Sequence, residues 1–125
     1  MLSDAPVAPA LPASDLARAR AFYEQTLELS VVEESPASVS FACGDGTVLF
    51  VYPSEFAGTN QATAAGFRVP DLDAAMARMR DRGVVFEDYD LPGVTTVDGV
   101  VTFDDGRGAF FKDTEGNILA LTEQA

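Results

Sequence analysis

The stretch that decides the fold is Leu11-Pro12-Ala13-Ser14-Asp15-Leu16-Ala17-Arg18-Ala19-Arg20-Ala21, because it returns as Phe67-Arg68-Val69-Pro70-Asp71-Leu72-Asp73-Ala74-Ala75-Met76-Ala77. Asp15, Leu16, Ala19 and Ala21 recur as Asp71, Leu72, Ala75 and Ala77 at one constant offset. A looser echo relates the run from Gly44 to Tyr52 to the run from Thr114 to Thr122, each a glycine turn followed by a mostly apolar strand. Two similar halves of about sixty residues imply a duplicated unit. Half-domains related by a pseudo-twofold can build one cleft between them, with equivalent positions facing each other across it.

Outward from these repeats, each half predicts the order β-α-β-β-β. Residues 7–13 predict a strand in which Pro9 and Pro12 take positions that need no ladder donor. Asp15 predicts an N-cap, and Leu16, Ala19, Phe22, Tyr23 and Leu27 recur at three- and four-residue spacing as the buried face of a helix over 16–27, with Tyr23 in the core. Strands are predicted at 29–33, 39–43 and 47–52, with Gly44-Asp45-Gly46 as a tight turn. Residues 54–61 read as a linker. The second half predicts a strand at 62–69, an N-cap at Asp71, and a helix over 72–82 with the stripe Leu72, Ala75, Met76 and Met79, stopped by Gly83. A strand at 84–87, a long loop from Asp88 to Gly99, and strands at 100–103, 108–112 and 118–122 complete it. The expected organisation is one domain of two repeats, residues 5–53 and 62–123.

With 125 residues, 47% of them hydrophobic, the chain can bury an ordinary core without a disulfide or metal staple. Its longest apolar runs have strand length, so neither a membrane span nor a secretion signal is expected, and the cytoplasm is the expected compartment. The single Cys43 has no partner for an internal disulfide. Twenty acidic residues against eight basic ones give a net charge of −12, which disfavours nucleic acid as a partner. The same charge serves solubility and would attract a cationic ligand, the more so where Asp88, Asp90, Asp98, Asp104 and Asp105 cluster in the long loop and its neighbouring turn.

The duplicated unit, with Ser14-Asp15-Leu16 leading to Phe22-Tyr23 and with Phe110-Phe111-Lys112-Asp113-Thr114-Glu115-Gly116-Asn117-Ile118-Leu119 near the end, strongly resembles the vicinal oxygen chelate superfamily. That superfamily includes glyoxalases, extradiol dioxygenases, fosfomycin-resistance enzymes and bleomycin-resistance proteins. The resemblance implies an α+β fold of two tandem βαβββ modules whose curved, mainly antiparallel half-barrel sheets surround a shared cleft, with helices outside. It also implies where a divalent metal would be held in members that do chemistry: a His or similar ligand in each half's first strand and a Glu near the end of the last strand. Carried over, those positions fall on Ala8, Ala64 and Ala120, with Phe50 as the counterpart of Ala120. None has a lone pair to offer, and the chain contains no histidine. The expectation is a metal-free protein with no cofactor.

Side chains two apart share a strand face. Counted from those ligand positions, the concave face holds Ala8, Ala10 and Pro12; Val48, Phe50 and Tyr52; Ala64, Gly66 and Arg68; Gly108, Phe110 and Lys112; and Ile118, Ala120 and Thr122. The expected ligand site is therefore Phe50, Tyr52, Phe110 and Ile118 as an apolar lining, with Arg68 and Lys112 near a rim. Three functions compete. The favoured one is sequestration of a small amphiphilic, aromatic or cationic molecule in the manner of bleomycin-resistance proteins, by a twofold homodimer that covers open sheet edges. The others are a glyoxalase- or dioxygenase-like enzyme needing a metal, and a metal-free isomerase or lyase using Tyr52, Arg68 or an acid.

Overall fold

Aspartates at the two repeat positions start both helices. Asp15 (φ −134°, ψ 100°) accepts from the Arg18 amide, and Asp71 (φ −141°, ψ 101°) accepts from the Ala74 amide, so the two caps share one geometry. The computed structural model describes all 125 residues. In chain order they form β1 (Ala10–Ala13), α1 (Leu16–Ala21) continued by a π-helical turn (Phe22–Thr26), β2 (Ser30–Ser35), β3 (Ser38–Ala42), β4 (Val48–Pro53), β5 (Thr63–Arg68), α2 (Leu72–Asp81), β6 (Asp90–Leu91), β7 (Val94–Val97), β8 (Val100–Phe103), β9 (Gly106–Lys112) and β10 (Ile118–Gln124). The fold is α+β, with two open mixed sheets ordered β1-β4-β3-β2 and β5-β10-β9-β8-β7-β6.

The repeat extends to the pairing register. Ala10 lies opposite Phe50 across the parallel β1–β4 pair, as Gly66 lies opposite Ala120 across β5–β10. Ser40 lies opposite Phe50 across antiparallel β3–β4, as Phe110 lies opposite Ala120 across β9–β10. One face of each sheet carries Leu11, Ala13, Val39, Phe41, Leu49 and Val51, or Ala109, Phe111, Leu119 and Leu121. These join Ala19 and Tyr23 from the first helical segment and Leu72 and Met76 from α2 in a single sixteen-residue core. Strand alternation thus sends one set of side chains inward from both sheets and leaves the other set on the open faces.

Four expectations are corrected. The first strand starts at Ala10 rather than residue 7: Val7 is 94% exposed, and Pro9 contributes only its carbonyl, to the Phe50 amide at 3.0 Å. The helix over 16–27 widens at Phe22, where the Leu27 amide reaches back to the Phe22 carbonyl; here Tyr23 is fully buried and its hydroxyl donates to Asp113 at 2.5 Å. Residues 84–87 make one bridge, Phe86 to Phe111, and no strand. Residues 88–99 are a hairpin, not a loop. Pro92-Gly93 turns β6 into β7 with Gly93 at φ 80°, and Asp98 (φ 51°) with Gly99 (φ 80°) turns β7 into β8, the paired positive φ values that a two-residue hairpin turn needs.

The halves are bound together by the turn between β9 and β10, whose Asp113, Glu115 and Asn117 are buried. Glu115 accepts from the Ser14 hydroxyl, the Asp15 amide, the Thr114 hydroxyl and the Arg18 guanidinium, the last at 2.8 Å. Asn117 donates to the Pro12 carbonyl and to Asp113. The linker crosses this turn where Gly58 meets Gly116, both at positive φ; a Cβ on Gly116 would lie 2.9 Å from the Gly58 Cα, so neither position has room for a side chain. Burial pushes the Glu115 carboxyl up, but Arg18 and the three neutral donors outweigh it and hold the group at about 2, against an ordinary 4.5.

A carboxyl whose pKa is depressed by folding stabilises the fold above its unfolded value, and that stabilisation is lost as pH falls toward the folded value. Glu115→Gln should therefore cost on the order of 3 kcal/mol at neutral pH. In denaturant titrations the wild type should lose its advantage over the variant between pH 4.5 and about 2. An advantage that persists below that window would mean that the carboxylate charge is not what binds the halves.

Candidate functional site

Open-face residues of the second sheet are the raw material of the site. Phe110 and Lys112 on β9 and Ile118 on β10 project opposite the core-facing Phe111 and Leu119, and no helix covers them. The hairpin and the linker wall this face into a cavity of about 530 Å³, with Tyr89, Leu91 and Val94 from one side and Asn60, Gln61 and Thr63 from the other. That volume lies within the range of about 300–1,000 Å³ typical of small-molecule pockets. The Tyr89 ring meets Phe110 edge-on, with centroids 5.4 Å apart. Burial raises the Tyr89 phenol's pKa, and neighbouring Glu87 adds to the rise. Glu87 donates its amide to the Phe110 carbonyl at 2.8 Å and holds its carboxylate 3.8 Å from the Lys112 ammonium.

Asp88 fixes the hairpin to its base. One carboxylate oxygen accepts from the Thr96 hydroxyl at 2.9 Å and the Gly99 amide at 2.8 Å, while Thr96 accepts from the Tyr89 amide. Asp90 leans on Thr95 within the same hairpin. Another cavity, about 190 Å³ between Leu27, Leu29, Phe67 and Met79, is too small for a drug-sized molecule.

Of the six residues expected to bind ligand, Phe110, Lys112 and Ile118 line one cavity. Phe50 and Tyr52 do not reach it: their rings stack with centroids 5.9 Å apart on the open face of the first sheet. Arg68 lies toward the other end of the second sheet, opposite Thr122, in a small recess with Phe103, Arg107 and Glu123. Within one chain, then, Phe50 does not line the cavity that holds Phe110, which the hairpin and linker enclose. Tyr89, Leu91 and Val94 escape the sequence reading because 88–99 reads as a loop, although Pro92-Gly93 and the β-branched run Val94 to Val97 carry a hairpin signal, and Glu87 reads only as the end of the strand at 84–87.

The positions that would hold a metal in this fold carry no donors. Ala64 lies on β5, Ala120 faces Gly66 across the β5–β10 pair, and Ala8 precedes β1. Nowhere do three Cys, Asp or Glu side chains converge. This donor set does not fit a divalent cation.

Residues 6–121 match the family model of the Glyoxalase/Bleomycin resistance protein/Dioxygenase superfamily, and the chain belongs to that superfamily. No curated protein is similar enough to count as a relative. Among solved structures, TnmS3, an antibiotic binding protein from Streptomyces sp. CB03234, shares 24% identity at a TM-score of 0.74, over 100% of this chain and 99% of that one. A glyoxalase/bleomycin resistance protein from the same source shares 25% identity at a TM-score of 0.67, over 94% and 98%. The fosfomycin resistance protein FosX from Listeria monocytogenes, complexed with Mn(II) and sulfate, shares 17% at a TM-score of 0.72, over 100% and 93%.

Because the Asp88 carboxylate ties both Thr96 and Gly99 to the base of the hairpin, adding to the β7–β8 pairing, Asp88→Ala should cost about 1 kcal/mol of global stability and free the hairpin preferentially. Hydrogen exchange should accelerate across residues 89–99 and remain unchanged in β9 and β10. Uniform acceleration through both sheets would show that the hairpin is not a separately anchored wall.

Proposed function

We propose that this superfamily member binds a small aromatic or amphiphilic molecule, an antibiotic or a metabolite, in the cavity over the second sheet and sequesters it without a resident metal. The observation that carries this reading is the Tyr89–Phe110 aromatic pair on the wall of a roomy, mostly apolar cavity. Alanines at the three metal positions support binding over metal-assisted chemistry. The likeness to TnmS3, itself an antibiotic binding protein, points the same way.

A homodimer belongs to this reading. The stacked Phe50–Tyr52 pair on the open face of the first sheet is half-buried, and a twofold partner would bury it. A cytoplasmic setting suits the single free thiol of Cys43, and no helix is long and apolar enough to cross a membrane.

A thermal-shift screen of aromatic antibiotics and metabolites should return ligands that are recovered chemically unchanged after incubation. Phe110→Ala should then weaken a hit by about 1–3 kcal/mol through lost apolar and ring contact. Recovery of a converted product, or full affinity in the folded variant, would contradict the reading. Sedimentation should show a dimer that Phe50→Glu converts to monomer; a wild-type monomer would remove the twofold partner from the account.

A further inference from the structure

We propose that the cavity selects aromatic molecules bearing an anionic group, a carboxylate, sulfonate or phenolate, and that Lys112 receives that group. The inference rests on the cavity being the ligand site. Lys112 is the one cation among the lining residues, and Glu87 the one carboxylate. Their 3.8 Å separation exceeds the 2.7–2.9 Å or so of a charge-assisted hydrogen bond, so the ammonium spends none of its three donors on Glu87. With Lys112 53% and Glu87 31% exposed, so loose and solvent-screened a pair separates at little cost. A ligand anion at hydrogen-bonding distance makes the better contact.

Geometry supplies the register. Lys112 follows Phe110 by two residues on the same face of β9, so the two side chains leave the strand about 7 Å apart. A ring system packed on Phe110 thereby carries a directly attached substituent toward the ammonium. Glu87 and Lys112 also line a neighbouring recess of about 370 Å³, which gives the Glu87 carboxylate space to turn away from an arriving anion.

The net charge of −12 opposes anions at long range, yet Glu87 is the one carboxylate that lines the cavity. Asp88 and Asp113 keep their charge but are turned toward other donors, Asp88 to Thr96 and Gly99 and Asp113 to Tyr23 and Asn117, and neither lines the cavity. Exposed charges farther off are screened beyond about 8 Å at physiological salt. The contact at Lys112 therefore sets the preference.

Three probes with one ring system test this: 2-naphthoate, 2-naphthamide and (2-naphthylmethyl)ammonium, titrated calorimetrically into the full chain at neutral pH and physiological salt. The naphthoate should bind about tenfold more tightly than the amide, with the ammonium probe weakest. Lys112→Gln should abolish the tenfold gap while leaving amide affinity within about twofold, and Glu87→Gln should tighten the naphthoate. Equal affinities, a preference for the cation, or a gap that survives Lys112→Gln would overturn the proposal. Phe110→Ala separates the two levels: if it weakens all three probes while the charge order fails, the cavity stands and only the anion preference falls. If no probe binds, or Phe110→Ala changes none of the affinities, the cavity itself is not the site and the proposal falls with it.

Discussion

The buried carboxylate of Glu115 is the constraint on which the rest of the structure depends. It comes from the second half of the chain and, besides the neighbouring Thr114 hydroxyl, takes its donors from the first, at the junction of β1 and α1: Ser14, the Asp15 amide and Arg18. A carboxylate removed from water is costly unless its lone pairs are satisfied, and here charge and hydrogen bonds together satisfy them. Asp113 and Asn117, two residues to either side, reach Tyr23 and the Pro12 carbonyl, so a single turn clamps both ends of the first helical segment. The Gly58–Gly116 contact then runs the linker over that turn and along the second sheet. The cavity wall formed by Asn60, Gln61 and Thr63 is thus tied to the joint that unites the halves.

The two halves share a register but use it differently. Core-facing positions remain apolar in both, since each sheet must bury one face. On the open faces the paired positions diverge: Phe50 opposite Ala10 in the first sheet, Ala120 opposite Gly66 in the second. In the second sheet the cavity lies at the Lys112–Ile118 end of the β9–β10 pair, away from Gly66, whereas the first sheet presents a stacked aromatic surface. Superfamily membership fixes the architecture, and the chemistry depends on what these positions carry. Alanine and glycine there provide no donor to hold a cation.

Much of this was legible in the residues. The Asp-Leu-x-x-Ala-x-Ala repeat located both helix caps, and the alternation of β4, β9 and β10 separated core side chains from open-face ones, because period-two strands leave an unambiguous pattern when one face is buried. Less legible was whatever depends on contacts distant in sequence. Helical spacing places Tyr23 in the core, yet nothing local announces its bond to Asp113, ninety residues away. Pro92 and Gly93 suggested a loop when taken alone; only pairing with Thr95 and Val94 makes Asp90 and Leu91 a strand. The separation of Phe50 from Phe110 likewise follows from how two sheets pack, which no strand pattern encodes.

The central claim is that a ligand occupies the cavity over the second sheet. The most direct measurement is isotope-filtered NMR of the chain with a bound aromatic ligand, recording which protein protons lie close to the ligand ring. The account predicts contacts to the rings of Phe110 and Tyr89 and to the methyl groups of Ile118, Val94 and Leu91. Contacts to Leu27, Leu29 and Met79, or to Arg68 and Phe103, with none to Phe110, would contradict it.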